Sequence, residues 1–270
     1  MEVGHYYLLD TFADVPFQGS PTPVCMLSEL LDAPTMHQLA QELNAPVTAF
    51  VKPSDVEGDF MIRYFTTEGE IPACGHATLG AAFVLLTQET SFNKIKFVTI
   101  EGIRPKAQIT NDLTYIEYPR FPHTIIDIPP KLLEALGMPT PLTHFYSSEL
   151  QSLFIELDNP NEVNRIQPNF ELLKQSTDDI KEVVVMSKSN DEAFDFILRS
   201  FCPWIGINED PVTGSIHSVL GPYWQKQTNK SDFAVYQASE RGGKIFVKTF
   251  DDHVALGGHC KILVAGKLLL

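Results

Sequence analysis

A strand–loop–helix pattern occurs twice in the sequence, and this repetition restricts the fold more than any other feature. IRYFT at 62–66 leads within about a dozen residues to Cys74-Gly75-His76 and an Ala-rich, helix-like run. ILRSF at 197–201 leads in a similar way to Thr213-Gly214-Ser215 and a second helix-like run. Each copy reads as a strand, an irregular acidic loop, a small-Gly-polar tripeptide and a helix. The chain is therefore expected to fold as two related halves.

The two tripeptides are expected at helix N-termini, where backbone N–H groups lack partners within the helix and the helix dipole is positive. Two such ends that face one cleft would bind a carboxylate or stabilise an enolate. Four polar side chains collect at these ends: His76, Asp210, Ser215 and His217. The alternative interpretation is a duplicated structural helix with no ligand.

Short alternating or apolar stretches predict the strands: YYLLDTF, FMIRYF, KIKFVTI and LTYIEY in the first half, and SLFIEL, EVVVMS and FDFILRSF in the second. Helical spacing appears in TMHQLAQELN, with Thr35 as its N-cap, in the run after Cys74, and from Gly214 onward.

A proline-dense stretch, YPRFPHTIIDIPP, separates the two sets of elements and places the boundary near 118–128. We expect an α+β fold in which residues 1–120 form the first half and 128–260 form the second. The last strand, 261–270, is expected to return to the first half.

Charge and cysteine spacing limit the partners and cofactors. The formal net charge of −14 and the lack of Lys/Arg clusters argue against nucleic acid or an anionic membrane, so a small molecule is the expected partner. The N-terminus lacks the basic region of a signal peptide, which favours a soluble, cytoplasmic protein. The cysteines are far apart and form no CxxC pair, so we expect free thiols and no metal or other cofactor: Cys25, Cys74, Cys202 and Cys260.

Several motifs occur along most of the chain: LLDTFADVPFQGSPTPVCML, NAPVTAFV, IRYFTTEGEIPACGHATLGAA, GINEDPVTGSIHSVLGPYW and QASERGG. Together they resemble the phenazine biosynthesis PhzF-like family, which is related in fold to diaminopimelate epimerase and proline racemase. The resemblance implies two pseudo-symmetric halves, each a curved, mostly antiparallel sheet wrapped around a central helix, with the active site in the cleft between them. It also implies a homodimer and a cofactor-independent isomerase.

The resemblance assigns a set of site residues. Asp210 would orient an amine or hydroxyl of the substrate, and the N–H groups of Gly214 and Ser215 would bind its carboxylate. His76 would donate to, or protonate, a carbonyl or enolate. Cys74 completes the candidate catalytic set, either as a reactive thiol or as an inert small side chain. Gly75 and Thr213, in the same tripeptides, complete the expected substrate-binding set.

One position departs from the family pattern. The family's motif, similar to Leu-Ser-Glu-Thr, matches Ala45-Pro46-Val47-Thr48, so a valine stands where the family has its acid–base glutamate. Removal of a general acid–base group typically lowers the rate by about 10²–10⁴. Two-thiol epimerases of this fold use one cysteine from each half. Here Thr213 stands in the second tripeptide, and its hydroxyl is too weak an acid to replace a thiol.

Two hypotheses follow from this departure. The first is an isomerase that moves a proton on a small cyclic or amino-acid-like carboxylate by means of another group. The second is a catalytically inactive relative that binds a small acid or a protein partner. Asp210, at an Asp-Pro step, could also serve only to cap its turn. Glu70 and Glu42 are the nearest spare carboxylates by sequence, and Glu70, which matches an acidic residue common in the family, is expected to be structural.

Overall fold

The structure is a computed structural model that describes residues 2–138 and 140–270. The chain divides into two compact units: unit 1 comprises Met1–Tyr118 with Ala255–Leu270, and unit 2 comprises Pro119–Val254. The first crossing lies at the start of the stretch predicted as the boundary. The chain returns to unit 1 at Ala255, earlier than the expected residue 261, because the strand that contains Ala255 pairs with the strand that contains Tyr118.

The strands are β1 (Glu2–Thr11), β2 (Ser20–Leu27), β3 (Thr48–Pro53), β4 (Asp59–Phe65), β5 (Glu70–Ile71), β6 (Lys94–Val98), β7 (Lys106–Thr110), β8 (Leu113–Pro119), β9 (Thr143–Ser147), β10 (Ser152–Glu156), β11 (Glu182–Lys188), β12 (Phe196–Cys202), β13 (Ile207–Glu209), β14 (Asp232–Gln237), β15 (Gly243–Thr249), β16 (His253–Gly258) and β17 (Cys260–Leu269). The α-helices are α1 (Ala33–Leu43), α2 (Gly75–Val84), α3 (Pro130–Leu136), α4 (Pro160–Arg165), α5 (Phe170–Lys174) and α6 (His217–Thr228). Every stretch predicted as a strand overlaps one of these strands.

The strand pairing of unit 1 alternates in direction along the chain. β1 pairs with β2 antiparallel, β2 with β3 parallel, β3 with β4 antiparallel, β4 with β6 parallel and β6 with β7 antiparallel. Helix α1 connects the first parallel pair and α2 connects the second. A crossover helix is the usual connection between parallel neighbours.

Unit 2 repeats this scheme. β9 pairs with β10 antiparallel, β10 with β11 parallel, β11 with β12 antiparallel, β12 with β14 parallel and β14 with β15 antiparallel. Helices α4 and α5 lie between the first parallel pair in the sequence, and α6 lies between the second. The internal repeat expected from the sequence is thus present as a repeated mixed sheet with one central crossover helix in each unit.

Helix α2 is buried on nearly all sides, since Phe83 is its one residue with intermediate exposure. Small side chains permit this burial. A Cβ atom at Gly80 would lie 3.0 Å from Cγ2 of Thr22 and 3.1 Å from Cγ2 of Thr11, so the helix packs tightly against β1 and β2. The tight packing fixes the position of the polar residues at its N-terminus.

Helix α6 begins at His217, three residues later than the predicted start at Gly214. The preceding residues form a tighter turn, in which the His217 amide donates to the Gly214 oxygen and the Ser218 amide to the Ser215 oxygen. Pro222 lies inside the helix and cannot donate to the Ser218 oxygen. That oxygen instead accepts a hydrogen bond of 3.0 Å from the amide of Phe121.

The N-cap of α1 is Asp32, not Thr35 as predicted. Its side chain accepts the Thr35 amide at 2.8 Å. Pro34 explains the earlier start, since proline fits the first helical turn, where its missing N–H is no loss.

On the sheet face opposite α6, residues of α3, α4 and α5 form one apolar core with side chains of β10, β11 and β12, including Leu153, Val183 and Phe201.

Candidate functional site

The first set of candidate residues lies at the N-terminus of α2. Cys74 is the N-cap residue, with extended backbone angles (φ −152°, ψ 122°) and no capping hydrogen bond from its side chain. Cys74 and His76 are both buried, at 9% and 4% exposure. The Cys74 Sγ lies 3.4 Å from Nδ1 and 3.5 Å from Nε2 of His76. The lone-pair directions of the two nitrogens diverge, so a sulfur at nearly equal distance from both contacts the ring, and a small turn of the imidazole would align one nitrogen with the thiol for proton transfer.

A network of buried hydroxyl groups fixes the turn at the N-terminus of α2. The Thr78 hydroxyl donates to the Cys74 carbonyl oxygen at 2.6 Å, so its own oxygen can accept from the hydroxyls of Tyr64, at 2.6 Å, and Tyr118, at 3.3 Å. Burial raises the pKa of both tyrosines. The charge of Cys74 adds to this effect, while the hydrogen bond with Thr78 opposes it. Both therefore stay protonated at neutral pH and serve as donors. The sequence analysis did not identify these three residues.

Neither Val47, at the family's glutamate position, nor Glu70, a nearby carboxylate, offers a free acid–base group in unit 1. Val47 is buried, and the hydroxyl of Thr48 is also buried, with no hydrogen-bond partner in the described part of the chain. Glu70 on β5 accepts hydrogen bonds of 2.7 and 2.6 Å from the guanidinium of Arg63 on β4. This ion pair makes Glu70 a structural residue, as expected, and leaves Cys74 and His76 as the polar groups at the helix end.

The second set of residues lies in unit 2, where Asp210 is held in a short loop before α6. Its Oδ2 accepts the Thr213 hydroxyl at 2.7 Å, and its amide donates to the Ser200 oxygen at 3.0 Å. The other carboxylate oxygen, Oδ1, is buried and accepts no hydrogen bond from the residues that the structure describes. A buried carboxylate oxygen without a donor is rare in proteins and indicates a ligand or solvent position.

Gln237, the last residue of β14, holds this loop in place. Its Oε1 accepts the Thr213 amide at 2.8 Å, while its Nε2 donates to the Asp210 carbonyl at 2.8 Å. Ser239 Oγ donates to the Pro211 carbonyl at 2.7 Å. These contacts engage the amide and the hydroxyl of Thr213 within the loop, and the substrate contact expected for Thr213 stays a prediction. Gln237 lies in the QASERGG motif, but its role was not predicted.

The amides of Gly214 and Ser215 follow Thr213 in the turn before α6. Gly214 is buried and Ser215 is half-buried, and neither amide donates to an acceptor within residues 2–138 or 140–270. These N–H groups precede a twelve-residue helix, whose dipole is positive at this end. Gly75 has the corresponding place as the first residue of α2. Free amides at such a position suit an anion, and carboxylate binding by these residues stays a prediction.

A further acid, missed by the sequence analysis, lies close to Asp210. Glu182 at the start of β11 accepts hydrogen bonds from Ser152 and Ser200. Burial raises its pKa to about 7, and the charge of Asp210 adds to this effect, while the two serine hydroxyls oppose it. Perturbed acids of this kind are concentrated at functional sites.

Two other histidines are not part of these sets. His217, one of the polar side chains expected at the helix ends, is fully buried in unit 2 and packs near the ring of Phe196; burial lowers its pKa to about 3. His259 interacts with Asp14 at 2.7 Å and precedes β17, a strand as predicted. In the part of the chain that the structure describes, the four cysteines form no disulfide bond.

The described residues contain no group of three His, Cys, Asp or Glu side chains that could hold a metal ion. In the same part of the chain, no helix is long and apolar enough to cross a membrane. Whether the two helix ends serve a single ligand, as the sequence analysis expects, stays a prediction.

The arrangement of polar groups at two buried helix ends can be compared with known proteins. The family model described as phenazine biosynthesis-like protein (PhzC-PhzF) matches residues 9–267. The chain belongs to the PhzF-like family. An uncharacterised isomerase of Halalkalibacterium halodurans is 37% identical over 267 residues, which cover 98% of both chains.

Solved structures agree with this assignment. A PhzF-family phenazine biosynthesis protein of Enterococcus faecalis has a TM-score of 0.91 and 33% identity, with 99% of this chain and 100% of that chain covered. A probable proline racemase of Agrobacterium radiobacter with bound carbonate has a TM-score of 0.63 at 10% identity, covering 99% of this chain and 93% of that chain. The latter likeness concerns the fold alone. The α+β fold predicted from the sequence is thus confirmed, and it is the fold of the PhzF-like family.

Proposed function

We propose that this PhzF-like protein is a cofactor-independent isomerase that moves a proton on a small cyclic or amino-acid-like carboxylate. The observation that carries the proposal is the contact of 3.4 Å between the Cys74 thiol and the His76 ring at the N-terminus of α2. A thiol and an imidazole in contact can take up a proton on one group and return it from the other.

The second unit would supply the binding groups. The amides of Gly214 and Ser215 would accept the substrate carboxylate, and the buried Oδ1 of Asp210 would accept a hydrogen bond from an amine or hydroxyl. Thr213 and Gln237 would hold Asp210 in place through the contacts already described. Cys74 and His76 would then act on the carbon that loses and regains the proton.

Loss of a proton next to a carboxylate or carbonyl creates an enolate, and this charge needs stabilisation. Backbone N–H groups at the start of a buried helix are positioned for this task, because they cost no reorganisation during the reaction. Gly75 follows the N-cap Cys74 in such a turn. The proposal thus assigns proton transfer to the side chains of Cys74 and His76, and charge stabilisation to backbone N–H groups at the two helix ends.

A second candidate function is a catalytically inactive relative that binds a small acid or a protein partner through the same residues. Val47 favours this candidate, because it is buried, cannot titrate and stands at the family's glutamate position. The expected homodimer is an open prediction under either function, and size-exclusion chromatography with light scattering tests it.

Restoration of the glutamate distinguishes the two candidates. The unmodified protein, Val47→Glu and the double variant Pro46→Ser/Val47→Glu would be assayed with a partly unsaturated cyclic amino acid by following its ultraviolet spectrum. Pro46 fixes the backbone before residue 47, so the double variant is the fairer test. Turnover by the unmodified protein supports the isomerase. Turnover only in the double variant supports the inactive relative, and binding by no form contradicts both functions.

A further inference from the structure

A single serine connects Asp210 to a second carboxyl group in unit 2. Glu182 accepts the Ser152 hydroxyl at 2.6 Å on Oε2 and the Ser200 hydroxyl at 2.5 Å on Oε1. The backbone oxygen of Ser200 accepts the Asp210 amide at 3.0 Å. Ser200 therefore contacts the carboxyl group of Glu182 through its hydroxyl and the backbone of Asp210 through its carbonyl, which holds the two acidic residues near each other.

The charges that face Glu182 are negative. Side chains alternate along β12, so Ser200 and Cys202 share one face while Arg199 lies on the other, where it pairs with Glu209 at 2.8 Å. Lys181, the chain neighbour of Glu182, donates to the carbonyl of Asp178. Burial raises the pKa of Cys202, and the charges of Asp210, Glu182 and Glu209 raise it further. No cation of the described residues forms an ion pair with Glu182.

A carboxyl group that is removed from water and lies near a negative charge holds its proton more firmly than one in solvent. Burial, with the charge of Asp210 added, raises the pKa of Glu182 to about 7 despite the two serine hydroxyls. Near neutral pH, Glu182 therefore carries a proton in about half of the molecules.

We infer that Glu182 is a positioning residue for Asp210. Glu182 retains a proton while no cation is near, and it releases this proton to solvent when an ammonium group binds at Asp210. This inference rests on the proposed role of Asp210 in ligand binding. The buried Oδ1 of Asp210, which has no donor among the described residues, is the place where the ammonium would bind.

The inference narrows the class of substrate. An ammonium offsets the negative charge of Asp210, so Glu182 can ionise and add a second negative charge to the attraction. A hydroxyl group of the same shape supplies no such charge. The site therefore favours a zwitterionic molecule, with an ammonium for the two acids and a carboxylate for the Gly214 and Ser215 amides, over the corresponding hydroxy acid.

The coupling can be measured without any ligand. Carboxyl ¹³C chemical shifts of labelled glutamate report the titration of Glu182, which is assigned by the signal lost in Glu182→Gln. We expect Asp210→Asn to lower the pKa of Glu182 by roughly 0.3–1 unit. Asp191→Asn, at an exposed position of the same unit, is the matched control and should leave it unchanged. An unchanged Glu182 titration in Asp210→Asn would overturn the coupling.

The ligand preference needs two probes of one shape, cis-2-aminocyclohexanecarboxylate and cis-2-hydroxycyclohexanecarboxylate. Calorimetry at pH 7 in buffers of different ionisation enthalpy counts the protons released on binding. Binding of the amine should release roughly 0.2–0.5 proton per molecule of the unmodified protein, and binding of the hydroxy acid should release none. Glu182→Gln, which keeps the size of the side chain, should abolish the release.

The outcomes separate this inference from the proposed function. Binding that depends on Asp210 but releases as many protons in Glu182→Gln as in the unmodified protein would overturn the role of Glu182 alone. Binding of neither probe to the unmodified protein would contradict the ligand site of the proposed function and the ammonium preference together. In that case the ligand-free titration still decides whether Glu182 and Asp210 are coupled.

Discussion

Arg199 on β12 binds both carboxylate oxygens of Glu209 on β13, with two hydrogen bonds of 2.8 Å. Arg63 and Glu70 form the same bidentate pair between β4 and β5 in unit 1. Each guanidinium also lies over a phenylalanine ring two residues further along its strand. The two pairs therefore hold corresponding loops, and the loop in unit 2 continues directly into Asp210.

Replacement of Arg199 by methionine should lower the free energy of unfolding by roughly 2–4 kcal/mol, because Glu209 loses its partner at a largely buried position. Arg199 also donates to the Ile166 carbonyl at 2.6 Å, which adds to the loss. Urea denaturation measures the effect. Lys106→Met is the control, since Lys106 forms an exposed pair with Glu117 and should change stability by about 1 kcal/mol or less. Equal effects of the two substitutions would contradict the structural role of Arg199.

Gln237→Leu should destabilise unit 2 by roughly 2–3 kcal/mol, because it leaves the Thr213 amide and the Asp210 carbonyl without their partners. Gln227→Leu, on the exposed side of α6, makes the same chemical change where no such contact exists. Thermal unfolding of both variants is the measurement. A midpoint for Gln237→Leu that equals that of Gln227→Leu would rule out the positioning role.

Stability at low pH should depend on His217. Burial lowers the pKa of this histidine from 6.5 to about 3, so the unfolded chain binds a proton that the folded chain excludes in this pH range. Its contribution to stability is therefore complete above pH 6.5 and is lost as the pH falls toward 3. His217→Leu should raise the free energy of unfolding at pH 5, relative to the unmodified protein, by roughly 1–2 kcal/mol more than at pH 8. A difference that is the same at both pH values would contradict the burial of a neutral ring.

The four thiols should react slowly in the folded protein and completely after denaturation. All four cysteines are buried and outside any disulfide bond of the described residues, and burial raises the pKa of Cys25 to about 12. Cys74 has the highest exposed fraction of the four, at 9%. A thiol reagent such as Ellman's reagent should therefore label it first, and Cys74→Ser should remove the fastest phase. Recovery of only two thiols in denaturant without reductant would show a disulfide and refute the prediction.

Local patterns were sufficient to predict much of the fold. The alternation in FMIRYF and FDFILRSF predicts β4 and β12, and the doubled tripeptide predicts the two central helices. The start of α6 was wrong by three residues, because a tight turn precedes it. The cap of α1 was wrong because Pro34 moves the helix start toward Asp32.

Contacts that depend on strand register were not predictable in the same way. Gln237 reaches Thr213 from a strand 24 residues away, and Tyr118 reaches Thr78 across 40 residues of sequence. Glu182 meets Ser200 only because β11 and β12 pair antiparallel. A single sequence contains the residue types but not these pairings, so the candidate site was predicted at the helix ends and missed on the strands.

Solvent deuterium exchange tests the central claim most directly, because it detects proton transfer even when no net product forms. A panel of small cyclic amino acids and hydroxy acids would be incubated with the protein in D₂O, and ¹H NMR would follow the carbon-bound proton. We expect exchange with the unmodified protein on at least one amino acid, and a loss of roughly 10²-fold or more in His76→Asn and in Cys74→Ser. Asp14→Asn, beside His259 rather than His76, should leave the rate unchanged. Exchange that persists at the full rate in both His76→Asn and Cys74→Ser would contradict proton transfer by this pair.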